Sequence, residues 1–140
     1  MRAILRMATV GTSAALLLGA MSGVSWADTY DKRCFVGVDL NGRDCDTAWY
    51  NPAYGSNAVS TAGFTAQGEY LWANDHEADG RGVYIKATWS GGSAEIRNTA
   101  GAGSWQEKNL DIADGKSVSL TMCQTNAGSL INCAYATAIA

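Results

Sequence analysis

Val83-Tyr84-Ile85-Lys86-Ala87-Thr88-Trp89 decides the fold class. Val83, Ile85, Ala87 and Trp89 alternate with Tyr84, Lys86 and Thr88, and a period of two sends successive side chains to opposite faces of a strand, one buried and one wetter. Residues 117–123 repeat the pattern, with Val118, Leu120 and Met122 inward and Ser117, Ser119 and Thr121 outward; their expected partner is 132–139. Further strands are expected at 33–40, 47–50, 68–73, 94–98 and 105–112, separated by short runs of Gly, Asn, Asp and Ser. Helical periodicity is hard to find. The prediction is therefore an all-β chain folded as a small antiparallel β-sandwich of about eight strands. Residues 51–64, which hold the one proline, Pro52, lack a clear period and are expected to be an irregular surface excursion.

The chain of 140 residues divides into three parts. Residues 1–27 have the make-up of an export signal: Arg2 and Arg6 supply positive charge, 14–18 are apolar, and Ser25-Trp26-Ala27 offers small residues for cleavage. Gly11, Thr12, Ser13 and Gly19 interrupt the apolar run, which argues against a spanning helix. Residues 28–33 are expected to be a flexible arm, and 34–140 a single β-sandwich domain of modest core. The formal net charge of −3 becomes more negative once Arg2 and Arg6 are removed, which disfavours nucleic acid and, after signal removal, a membrane as partners.

Four cysteines in an exported domain of this size predict disulfides. Three pairings are possible, but Cys34 with Cys45 and Cys123 with Cys133 each enclose a hairpin-sized segment with a turn signal, Asn41-Gly42 and Asn126-Ala127-Gly128. These two local pairs are the expected connectivity. A zinc site is disfavoured by the lack of Cys-x-x-Cys and the presence of one histidine, and no cofactor is expected.

No residue set prescribes a reaction. Asp75, Glu77 and Asp79 alternate ahead of Gly80 like the start of a calcium loop, yet the twelfth position is Lys86 and a strand follows, so an EF-hand is excluded and a solvated turn is expected. His76 lies in the same turn without a nucleophile motif. Glu69, Glu95 and Glu107 are the candidate carboxylates for glycoside hydrolysis, but pairing with Lys86, Arg97 and Lys108 accounts for them more simply. A non-catalytic protein is the resulting expectation. Aromatic residues offer another chemistry, since flat rings stack on sugars. Trp89 and either Tyr70 or Trp72 are expected inside, whereas Trp49, Tyr50 and Tyr54 flank the irregular stretch and are the expected surface trio.

The run Asn74-Asp75…Ala78-Asp79-Gly80-Arg81-Gly82-Val83-Tyr84, followed by Asn98…Gly101-Ala102-Gly103, Asp114-Gly115-Lys116-Ser117-Val118 and Cys123…Cys133, resembles a group of small secreted actinobacterial two-disulfide β proteins. Among these it is similar to the small B subunit of umbrella toxin particles. That resemblance implies an adaptor joining a lectin-like subunit to a large stalk protein in an extracellular antibacterial particle. The resulting expectation is a secreted protein–protein adaptor, with Asp28, Tyr30, Lys32 and Arg33 of the arm as contact residues beside the aromatic trio. A carbohydrate-binding module is the alternative, and a small secreted hydrolase the third reading.

Overall fold

A computed structural model describes residues 28–140; the expected export signal, 1–27, lies outside the described residues. Nine strands follow in order: β1 Thr29–Phe35, β2 Asp44–Tyr50, β3 Ala58–Thr65, β4 Tyr70–Asp75, β5 Gly82–Trp89, β6 Gly92–Asn98, β7 Ser104–Asn109, β8 Ser117–Asn126 and β9 Ser129–Ile139. They form two antiparallel sheets, ordered β1-β2-β3-β4-β7 and β6-β5-β8-β9. These pack face to face, so the expected all-β sandwich is observed, with nine strands. Both hairpin disulfides, Cys34–Cys45 and Cys123–Cys133, are formed and leave no free cysteine. Such bonds persist in oxidising compartments. No helix among the described residues is long and apolar enough to cross a membrane.

Alternation builds the core. From the five-stranded sheet, Cys45, Thr47 and Trp49 of β2, Ala62 and Phe64 of β3, and Leu71 and Ala73 of β4 point inward and are buried. They meet Val83, Ile85 and Ala87 of β5, Val118, Leu120 and Met122 of β8, and Ile96 of β6. The inward sets expected for 83–89 and 117–123 are thus observed. Trp89 is only partly buried and packs against this core.

Among the described residues the buried side-chain polar groups are hydrogen-bonded, as burial requires, except Arg81 Nη1. Trp49 Nε1 donates across the interior to the carbonyl of Asn132 at 2.8 Å. That carbonyl is presented by a β-bulge: the β8–β9 register shifts between Met122 and Gln124, and Asn132 has φ 49°. Asn tolerates this left-handed backbone better than most residues. At the opposite edge Asn98 is fully buried; its amide donates to the carbonyls of Ala73 and Ser104, and its Oδ1 accepts from Ser104 Oγ and the amide of Ala100. One side chain therefore joins β6 to both β4 and β7.

Three expectations are corrected. Residues 28–33 are not an arm: Thr29–Phe35 pairs along β2 from Thr29↔Tyr50 to Phe35↔Asp44, and the buried carboxylate of Asp28 anchors its start by accepting from Asn51 and Gln124 at 2.7 and 2.6 Å. Residues 58–64 of the expected excursion belong to a central strand, β3, leaving only a 3-10 turn, Pro52–Tyr54, in the connection. The strand expected at 33–40 stops at Phe35, because the ladder ends one pair beyond the disulfide and the chain turns at Asp39, whose Oδ1 accepts from the Asn41 amide.

Candidate interaction surface

The disulfide-closed segment from the end of β1 to the start of β2 displays the two most exposed large apolar side chains of the described residues, Leu40 and Val38. Phe35, Val36, Val38 and Leu40 are 45%, 60%, 77% and 82% exposed, although their spacing resembles a buried strand. Placing four such groups in water on one short disulfide-closed segment is unfavourable, so their clustering marks a contact surface. The loop has a fixed base. Cys34 and Cys45 are directly opposed, with Cα atoms 4.1 Å apart. On its return limb, Arg43 exchanges two backbone hydrogen bonds with Ile139 at the end of β9. Its root is thereby tied to both sheets.

Beside the loop runs β1, the free edge of the five-stranded sheet, with all seven residues exposed. Unpaired backbone groups on such an edge are ready to bond another chain. Tyr30 is 49% exposed, and Lys32 Nζ donates to the Tyr135 carbonyl of β9, which draws the two edges together. Tyr135 itself is 64% exposed. Arg33 lies on the other side of the strand in a two-bond pair with Asp46, both at 3.1 Å; this hydrogen-bonded charge raises its guanidinium pKa. Being exposed, the pair orients a charge more than it stabilises the fold.

The other expected site residues separate. Trp49 is not a surface group: its side chain is fully buried because it shares the inward phase of Cys45 and Thr47. Asp28 is also internal, in the polar cluster with Asn51, Gln124 and Arg81. Arg81 Nη1 approaches Asp28 to 2.5 Å as an ion pair, but the contact is not aligned as a hydrogen bond. Tyr50 is half-buried and Tyr54 is 42% exposed on the 3-10 turn. The aromatic trio therefore does not form one platform. Trp72, expected as a possible core residue, instead lies on the outer face, where it stacks with Trp105 at 5.4 Å between ring centroids and 8° between planes. Leu71 and Ala73 hold the inward phase of β4 and turn Trp72 outward.

A cleft of about 480 Å³ opens at one end of the sandwich, among the turns bearing Glu77, Arg81, Thr99 and Ala127. Asp75 contributes to its lining; burial is the main cause of its raised carboxyl pKa, followed by the lowering effect of the Glu77 amide and repulsion from Asp79. Asp75 and Asp79 accept from the amides of Glu77 and Arg81, which shapes a solvated turn. Among the described residues no three His, Cys, Asp or Glu side chains converge as a metal-binding group. Glu95 of β6 accepts from the Tyr84 hydroxyl of β5, Glu107 of β7 accepts from Trp105 Nε1, and Glu69 lies in a turn, so the three carboxylates sit on separate elements. Burial, followed by the bond to Glu95, raises the Tyr84 hydroxyl pKa.

Comparison with family models, curated proteins and solved structures gives no match, so geometry carries the functional argument.

Proposed function

We propose that this protein is a secreted, non-catalytic adaptor that engages another exported protein through the 36–41 loop and the β1 edge. The carrying observation is the apolar loop itself: Val36, Val38 and Leu40, with Phe35 at its root, are exposed on a base fixed by Cys34–Cys45 and by the Arg43–Ile139 bridge. A pre-ordered loop loses less conformational freedom on docking than a free one. Backbone groups of β1 are available for strand addition, while Tyr30 and Tyr135 supply amphipathic contacts beside them. The resemblance to umbrella toxin B subunits agrees with this role, and a lectin-like subunit or a large stalk protein are the partners it implies.

Affinity capture of the tagged protein from its own culture fluid tests the reading. A defined secreted protein should copurify with the native chain and be lost from Val38→Asp/Leu40→Asp, whose changes lie on exposed positions and leave the core untouched. Migration of the native protein as a lone species at natural abundance overturns the adaptor reading, as does undiminished capture by the double variant.

A further inference from the structure

The outer face of the five-stranded sheet carries a second, differently built surface. Its register places Ala48, Thr61, Asn74 and Trp105 in one row, and Asp46, Gly63, Trp72 and Glu107 in the next. Small side chains occupy the middle strands and aromatic ones the β4–β7 side. Gly63 is the foundation of this arrangement. A Cβ there would lie 2.6 Å from Cζ2 of Trp72, so only glycine lets that indole lie close against the strand. Trp72 is further held by its Nε1 bond to Thr65 Oγ1 at 3.3 Å. Trp105 then stacks on Trp72 and donates its own Nε1 to Glu107 at 3.3 Å, yet remains 53% exposed.

An exposed indole fixed in plane, with its N–H already occupied, offers its apolar π surface as its remaining binding capacity. Polar side chains border it. Asn74 is directly opposite Trp105, His76 meets Thr61 Oγ1 at 3.2 Å on the same face, and Glu107 and Asn109 extend along β7. Hydroxyl-rich, ring-shaped ligands match that mixture: a gluco-configured pyranose has axial C–H groups on its flat faces and hydroxyls around its rim. Nucleobases would also stack, but single-stranded nucleic acid needs a cationic track for its phosphates, and the charged group beside Trp105 is the acidic Glu107. Lys108, the adjacent cation on β7, instead reaches the carbonyl of Glu95. The opposite outer face differs: it presents Lys86, Glu95 and Arg97, with Arg97 placed over the Tyr84 ring.

We infer that Trp105, backed by Trp72 and Gly63, is a stacking site for a neutral β-linked hexopyranose polymer, with Asn74, His76 and Glu107 as hydroxyl partners. It is separate from the proposed protein-docking loop, because β1 and β7 are opposite edges of the same sheet.

The purified oxidised protein is tested on chitin, microcrystalline cellulose, β-mannan and laminarin, by pull-down for the insoluble polymers and affinity electrophoresis for soluble ones. Binding to at least one is expected, with competition by its soluble oligosaccharide and a change in tryptophan fluorescence. Trp105→Ala should weaken that binding at least tenfold, about 1.4 kcal/mol, and retain the native far-UV circular dichroism and urea-unfolding midpoint. Val38→Asp/Leu40→Asp should bind the polymer as the native protein does, so loss of the adaptor role and loss of sugar binding are read separately. Binding to none of the four polymers overturns the inference, as does an unchanged affinity in Trp105→Ala. Loss of a copurifying protein in Trp105→Ala, with no polymer bound by the native chain, would assign this face to a protein instead.

Discussion

At the scale of the residue, Trp49 and Trp72 show how phase outweighs residue type. Both are large aromatics beside glycine- or asparagine-rich sequence, yet one fills the interior and the other the outer surface. The signal was present in their neighbours: Cys45 and Thr47 share the phase of Trp49, whereas Leu71 and Ala73 share the opposite phase from Trp72. What hid it was proximity of Trp49 to an apparently irregular segment. Trp49→Ala should destabilise by about 3–5 kcal/mol in urea unfolding, through lost packing and the unpaired Asn132 carbonyl. Trp49→Phe should be milder but still destabilising, since it keeps most of the ring volume and loses the hydrogen bond. Asp75 gives a pH-dependent test. Its folded-state pKa is raised, so the native state binds this proton more tightly than the unfolded state does. The ionised form therefore disfavours folding above the folded pKa, and the penalty fades as pH falls through that value toward the unfolded one. Asp75→Asn keeps an acceptor for the Glu77 amide. Its Tm should exceed that of the native protein at pH 7, and the difference should vanish near pH 3.

Among the elements, β5 and β8 were legible because their sequences alternate over 83–89 and 117–122, ahead of the β8 bulge, and both strands lie inside the four-stranded sheet. β3 was not. Ala58-Val59-Ser60-Thr61-Ala62-Gly63-Phe64-Thr65 has small or polar residues in both phases, and Val59 and Ser60 are buried consecutively where the β2–β3 register slips. A bulge breaks the period on which strand recognition depends. The 36–41 loop misleads in the other direction: most of it falls within the strand expected at 33–40, but the ladder ends one pair beyond the opposed Cys34 and Cys45. Removing that crosslink as Cys34→Ala/Cys45→Ala should lower stability by about 2–3 kcal/mol in the chain-entropy account, measured by urea unfolding. Gly63→Ala tests the aromatic layer. The new methyl meets Trp72 and also the carbonyl of Cys45 at 2.8 Å, so a loss of about 1–3 kcal/mol is expected together with a red-shifted tryptophan emission.

For the molecule as a whole, the sandwich and both disulfides were readable from alternation and cysteine spacing, whereas the apolar loop and the stacked indoles were not. Position on a sheet face depends on which distant strands become neighbours, and order β1-β2-β3-β4-β7 brings Trp72 to Trp105 across 33 residues by passing over β5 and β6. The same order puts the apolar loop and the stacked indoles at the two ends of one sheet. A chain with both Val38→Asp/Leu40→Asp and Trp105→Ala should show the two losses in full and without interaction, read by capture and polymer affinity in parallel, since the sites share no residue.

Both covalent crosslinks join neighbouring strands within a sheet, and neither spans from one sheet to the other. Tension drawn between β1 and β7 would cross four strand ladders, of which only β1–β2 is covalently reinforced. Under such a pull the stapled hairpin stays closed, and extension is left to the β2–β3, β3–β4 and β4–β7 ladders, each of six residue pairs held by hydrogen bonds alone.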